Sequence, residues 1–106
     1  MTIRGTISEA MAKHLLREIS RDVWAEAKID GSWVRLTIQS KPIGAYNLNV
    51  VAVLDNPEYA GQAFTVEECR LMHPSENELA SGTGCQVPAG QTFAVSFAFS
   101  LRGSEA

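Results

Sequence analysis

The chain has 106 residues, the span of one hydrophobic core, which excludes a two-domain organisation. Hydrophobic residues at 45% and charged residues at 20% are globular values, far from disordered, collagen-like or coiled-coil compositions. Nine basic against twelve acidic residues leave a net charge of −3, which lacks the broad positive footprint that direct binding to DNA or RNA needs.

The first element in chain order is a helix. Thr6-Ile7-Ser8-Glu9 has the form of a capping box. From there Met11, Ala12, Leu15, Leu16, Ile19 and Val23 fall on one half of a helical cylinder, with Glu9, Lys13, His14, Arg17, Ser20 and Arg21 on the other. The pattern predicts one amphipathic helix of about four turns, and Asp22, unfavourable against the dipole at a helix C-terminus, marks its stop.

At Val23 the period changes to two. Val23, Ala25, Ala27 and Ile29 alternate with Trp24, Glu26 and Lys28, and Asp30-Gly31 then separates them from Trp33-Val34-Arg35-Leu36-Thr37-Ile38. An Asp-Gly pair between alternating runs is the strongest short hairpin signal, because a type I′ turn needs positive φ at both central residues. Strands are expected at 23–29 and 32–39. Lys41-Pro42-Ile43-Gly44 reads as a turn, and 46–54 as a strand whose C-terminal half, Val50 to Leu54, is apolar on both faces and expected to be buried on both. After the Asp55-Asn56-Pro57-Glu58 turn a strand runs from 63 to 72. There Phe64 and Val66 have one parity, Cys69 and Leu71 the other, and a β-bulge at 67–68 reconciles them. Residues 73–91 read as a long loop holding one helical turn near 75–80, a turn at Gly82-Thr83-Gly84 and a short edge strand at 85–87. The last strand is the clearest, with Phe93, Val95, Phe97, Phe99 and Leu101 inward and Ala94, Ser96, Ala98 and Ser100 outward.

These elements predict an α+β fold: an N-terminal amphipathic helix packed on an antiparallel sheet of about five strands, with a small β-sandwich carrying one helix as the runner-up. No apolar run of signal-peptide length follows Met1, and none approaches the roughly 20 residues of a membrane span. The expected setting is therefore cytoplasmic, away from membranes, with Cys69 and Cys85 reduced.

Chemistry-bearing patterns are sparse. Cys69, His73 and Cys85, with Glu76 or Glu78, are the one set that could assemble a metal site or a thiol enzyme, but the spacing matches no standard zinc module and no cofactor is implied. His14 and Glu18, i and i+4 on the helix, read as an exposed pair. The acidity is regional: Asp55, Glu58, Glu67, Glu68, Glu76 and Glu78 are opposed in that stretch by Arg70 alone. With Tyr59 as an apolar anchor, such a stretch would dock a basic protein partner, and an inhibitor of a nucleic-acid-handling protein is one form this takes. Trp24 and Trp33 share the polar parity of their hairpin with Glu26, Lys28 and Arg35, close across it and partly exposed, and are contact candidates of another kind. The function expected from the sequence is a non-catalytic protein-interaction module. The alternatives are a homo-oligomeric assembly subunit joined through the Ala/Ser face of the last strand, and the thiol or metal enzyme.

Overall fold

The computed structural model describes residues 7–101. It is an α+β fold in which one helix packs on two antiparallel sheets. The elements are α1 (Glu9–Ile19), β1 (Trp24–Ile29), β2 (Ser32–Arg35), β3 (Thr37–Ser40), β4 (Asn47–Val53), β5 (Phe64–Met72), β6 (Glu78–Val87) and β7 (Ala94–Ser100), with a single 3-10 turn at Pro57–Tyr59. The strands are ordered β2-β1-β5-β6 in one sheet and β3-β4-β7 in the other. Seven strands replace the expected five for two reasons: the run at 32–39 is divided between the sheets, and the long loop is mostly strand.

Leu36 makes the division. It is the single residue between β2 and β3, its side chain is buried, and its N–H donates to the Ala25 carbonyl at 2.8 Å. On one side Arg35 pairs with Glu26 of β1, and on the other Thr37 pairs with Val53 of β4. The Asp30-Gly31 hairpin forms as the sequence predicts, with φ of 52° and 79°.

Helix α1 starts at an N-cap Ser8, whose hydroxyl accepts from the Met11 N–H at 3.2 Å. The Thr6 half of the expected capping box lies outside the described residues. The helix ends at Ser20, about three turns on, and Asp22 follows in the left-handed region. It is tied at both ends to the β3–β4 connection: Lys41 Nζ donates to the Ser20 carbonyl at 2.9 Å, and the Tyr46 hydroxyl donates to the Ile7 carbonyl at 3.2 Å. This seating buries Ala12, Leu16, Ser20 and Val23 and leaves Met11, Leu15 and Ile19 exposed, so about half of the apolar arc meets the sheet.

The core is one cluster spanning both sheets and the helix, built from Ala25, Ala27 and Ile29 of β1, Leu48, Val50 and Ala52 of β4, Val66, Cys69 and Leu71 of β5, Phe97 of β7 and Leu16. Strand β4 is not buried on both faces. Val51 and Val53 are half-buried on the side opposite the core, beside Ser96 and Ala94 of β7.

Strand β5 keeps Val66 and Cys69 inward despite their opposite parity, because its register against β1 steps from Lys28↔Glu68 to Ile29↔Val66 and leaves Glu67 as the extra residue. This is the bulge that the sequence required. Strand β6 follows it through the bulge in register, pairing Val66 with Cys85 and Cys69 with Gly82, and shifts only between Leu71 and Met72. Residues 78–87 are thus a ten-residue strand in place of a loop with a helical turn. The connecting turn spans 73–77 only, closed by the His73 N–H to the Asn77 carbonyl and the Glu76 N–H to the His73 carbonyl. The run Ala80-Ser81-Gly82-Thr83-Gly84 has weak strand propensity, and pairing to β5 decides its conformation. Gly84 is required there: a Cβ at this position would fall on the Val66 carbonyl. Gly84→Ala should therefore lower stability by at least about 2 kcal/mol, with Gly82→Ala much milder, as measured by urea unfolding.

Candidate functional site

Two surfaces gather the functional side chains. The first is the face of the four-stranded sheet turned away from the core. Strand β1 alternates buried Ala25, Ala27 and Ile29 with half-buried Trp24, Glu26 and Lys28, so the second set lies on this face. Register brings Trp33, Lys28 and Glu68 into one row, Arg35, Glu26 and Arg70 into the next, and Trp24 beside Met72 in the third. Arg70 donates from Nε and Nη2 to Glu26 Oε1 at 2.9 and 2.8 Å, and its guanidinium lies 3.7 Å from the centre of the Trp33 ring. Arg35 stands 5.1 Å over Trp24, and Lys28 stands 5.9 Å from Trp33. Each indole is thus held by a cation from a neighbouring strand.

The two tryptophans are not close across the hairpin. Trp33 faces Lys28, four residues along β1 from Trp24, which is roughly 13 Å of strand. Neither is among the side chains packed against the core cluster. Arg35 lies on this face as its parity predicts, and Arg70 is the contributor that sequence reasoning left aside. Arg70 was visible as the one base in an acidic stretch, but only the bulge at Glu67 places it opposite Glu26.

The acidic residues do not form one patch. Glu58 adjoins Tyr59, whose ring meets Phe64 at the start of β5, with centroids 5.4 Å apart and planes tilted by 57°. Glu78 is the register partner of Met72 at the other end of β5, so the two carboxylates are separated by nearly the length of that strand, roughly 25 Å. Glu76 lies in the turn before Glu78, Glu67 occupies the bulge, and Glu68 borders the tryptophan face. Asp55 belongs to the second surface, a groove of about 590 Å³ at the joint between the sheets. Its walls come from Gln39 and Val53 of the three-stranded sheet, Phe64 of the four-stranded sheet, and the connections that carry Asn56, Tyr59, Gln91 and Thr92. Asn56 caps the 3-10 turn by accepting from the Glu58 N–H at 3.0 Å, and Pro57 starts that turn, which directs Tyr59 towards Phe64.

Cys69, His73 and Cys85 do not converge. Among the described residues no three of His, Cys, Asp and Glu stand where they could hold a metal ion together. Cys69 is buried, Cys85 is exposed and both are free thiols. The register separates them, since Cys69 pairs with Gly82, three residues before Cys85. His73 is engaged within its own turn, with Nδ1 2.7 Å from the Ser75 hydroxyl. Glu18 pairs with Arg21 at 2.9 Å and not with His14. Gly82-Thr83-Gly84 is strand, not turn. No helix among the described residues is long and apolar enough to cross a membrane.

No protein-family model, curated protein or solved structure matches the chain.

Burial pushes the Cys69 thiol above its ordinary value, with the charges of Cys85 and Glu68 adding in the same direction. A thiol held neutral in the fold stabilises the protein fully below its unfolded value, and that contribution is lost as pH rises from there through the raised folded value. Two outcomes follow. Alkylation of the folded protein near neutral pH should label Cys85 alone by intact mass, and both thiols in denaturant. Stability should also fall above roughly pH 8.5 more steeply in the wild type than in Cys69→Ala, as followed by urea unfolding across pH.

Proposed function

We propose that this chain is a non-catalytic binding module that engages another protein through the tryptophan face of its four-stranded sheet. The observation that carries this reading is the pair of half-buried indoles, each held in place by an arginine of the same sheet, Trp24 by Arg35 of the adjacent strand and Trp33 by Arg70, which reaches across β1. Tryptophan and arginine are the side chains most enriched among residues that dominate binding energy, and an anchor already fixed in its rotamer loses little entropy when a partner covers it. Arg70 is neutralised by Glu26, whereas Arg35 is exposed and has no carboxylate partner among the described residues. The partner that fits carries apolar side chains beside at least one carboxylate. The acidic residues enter through Glu68 at the border of this face, where they select and steer a partner more than they hold it.

A photo-crosslinking residue at Thr83, in the row of Glu68, tests the reading. It should capture one defined protein in native extract. Trp33→Ala and Trp24→Ala should each weaken binding to that protein by about 2 kcal/mol, near thirtyfold, with circular dichroism unchanged. Capture of the same protein from a probe at Ser96, or binding indifferent to both tryptophans, would refute it.

Self-association is a second reading, favoured by the position of β7 at the edge of its sheet with Ala94, Ser96, Ala98 and Ser100 exposed. Sedimentation equilibrium should then show a dimer that Ala98→Lys dissociates, and a single-chain mass at high concentration would exclude it.

A further inference from the structure

The groove at the joint of the sheets is separate from the tryptophan face, and its lining has a definite chemical character. At about 590 Å³ it falls within the range of small-molecule sites, on the order of 300–1,000 Å³. Lysine, arginine and histidine are absent from its lining, and its one carboxylate, Asp55, is exposed. A phosphate, nucleotide or other anion would meet a repelling charge and no cation.

The aromatic groups exclude an ammonium ligand in turn. A cation cage needs rings on facing walls with a gap between them. Here Tyr59 and Phe64 touch each other, with centroids 5.4 Å apart, and Phe93 is nearly covered by the core, so what remains is a single apolar platform. Around that platform the polar groups are planar or hydroxylic. The Asp55 carboxylate, the Gln91 amide, the Thr92 hydroxyl and the Tyr59 hydroxyl make no side-chain hydrogen bond within the described chain. Asn56 uses its carbonyl oxygen on the Glu58 N–H and keeps its NH₂ to donate.

We propose that this groove binds a neutral saccharide. A pyranose ring offers a C–H face that packs on an aromatic platform and a rim of hydroxyls that both donate and accept, which suits a carboxylate, two amides and hydroxyls at the platform's edge. The ligand is a chain of sugars, because a second depression of about 360 Å³, lined by Ala63 to Thr65 and Gln86 to Pro88, adjoins the first through Phe64. The platform therefore lies between two places where successive rings can sit.

Amide chemical shifts of the full chain, titrated with a panel of neutral tetrasaccharides of glucose, galactose, mannose and N-acetylglucosamine, test the proposal. Choline and a sialylated tetrasaccharide serve as competing probes. At least one neutral member should give saturable shifts at Asn56, Tyr59, Phe64, Gln91 and Thr92. Its affinity should fall at least tenfold in Tyr59→Ala, a half-buried position whose fold is checked by circular dichroism, and several-fold in the exposed Gln91→Ala, and stay the same in Trp33→Ala. The absence of saturable groove shifts with any neutral member at millimolar concentration overturns the proposal. So does a preference for choline or the sialylated glycan, or a response equal in the wild type and both groove variants. Because Trp33 lies outside the groove, failure here leaves the protein-binding reading of the tryptophan face untouched, and failure there leaves this one.

Discussion

The two sheets depend on a single shared residue. Leu36 ends the hydrogen bonding of β2 to β1 and begins that of β3 to β4, so one extended run serves as an edge strand twice. Its buried side chain and its N–H bond to Ala25 hold the run where the sheets diverge. Leu36 is itself part of the one core cluster that both sheets share. The groove exists for the same reason: its walls are the strand ends and connections left facing each other where the sheets part.

How much of this was legible in the sequence varied with how strongly a local pattern determined its own pairing. Strands β1, β4, β5 and β7, the Asp30-Gly31 turn and the β5 bulge could all be read because alternation and parity are properties of a few neighbouring residues. The division at Leu36 could not, since Trp33 to Ile38 alternates without interruption and nothing local marks a change of sheet. Strand β6 was hidden for the opposite reason. Its glycines and serines carry no strand signal, and its conformation comes from β5, including the close approach that only Gly84 allows.

Site residues divided along the same line. Trp24 and Trp33 were visible as large aromatics on a polar parity. Arg35 was visible on that parity too, but the contact of Arg70 with Trp33 was not, because it depends on the bulge at Glu67 and on a register set by β1. The acidic stretch, continuous in sequence, is distributed along β5 and its flanking turns, since consecutive strand residues point to opposite faces and nine residues of strand carry the chain far. The helix shows a related effect. Its apolar arc is broader than the contact available on a three-stranded sheet, and ties to Lys41 and Tyr46 fix which part is covered.

Tyr46 draws both limits of the described chain to one place. Its hydroxyl bonds the Ile7 carbonyl, and its own carbonyl accepts from the Leu101 N–H at 2.7 Å. Ile7 and Leu101 thus meet at one corner, at the start of β4, while the groove opens at that strand's far end. A label placed at the groove therefore stands a full strand's length from the corner that Tyr46 closes.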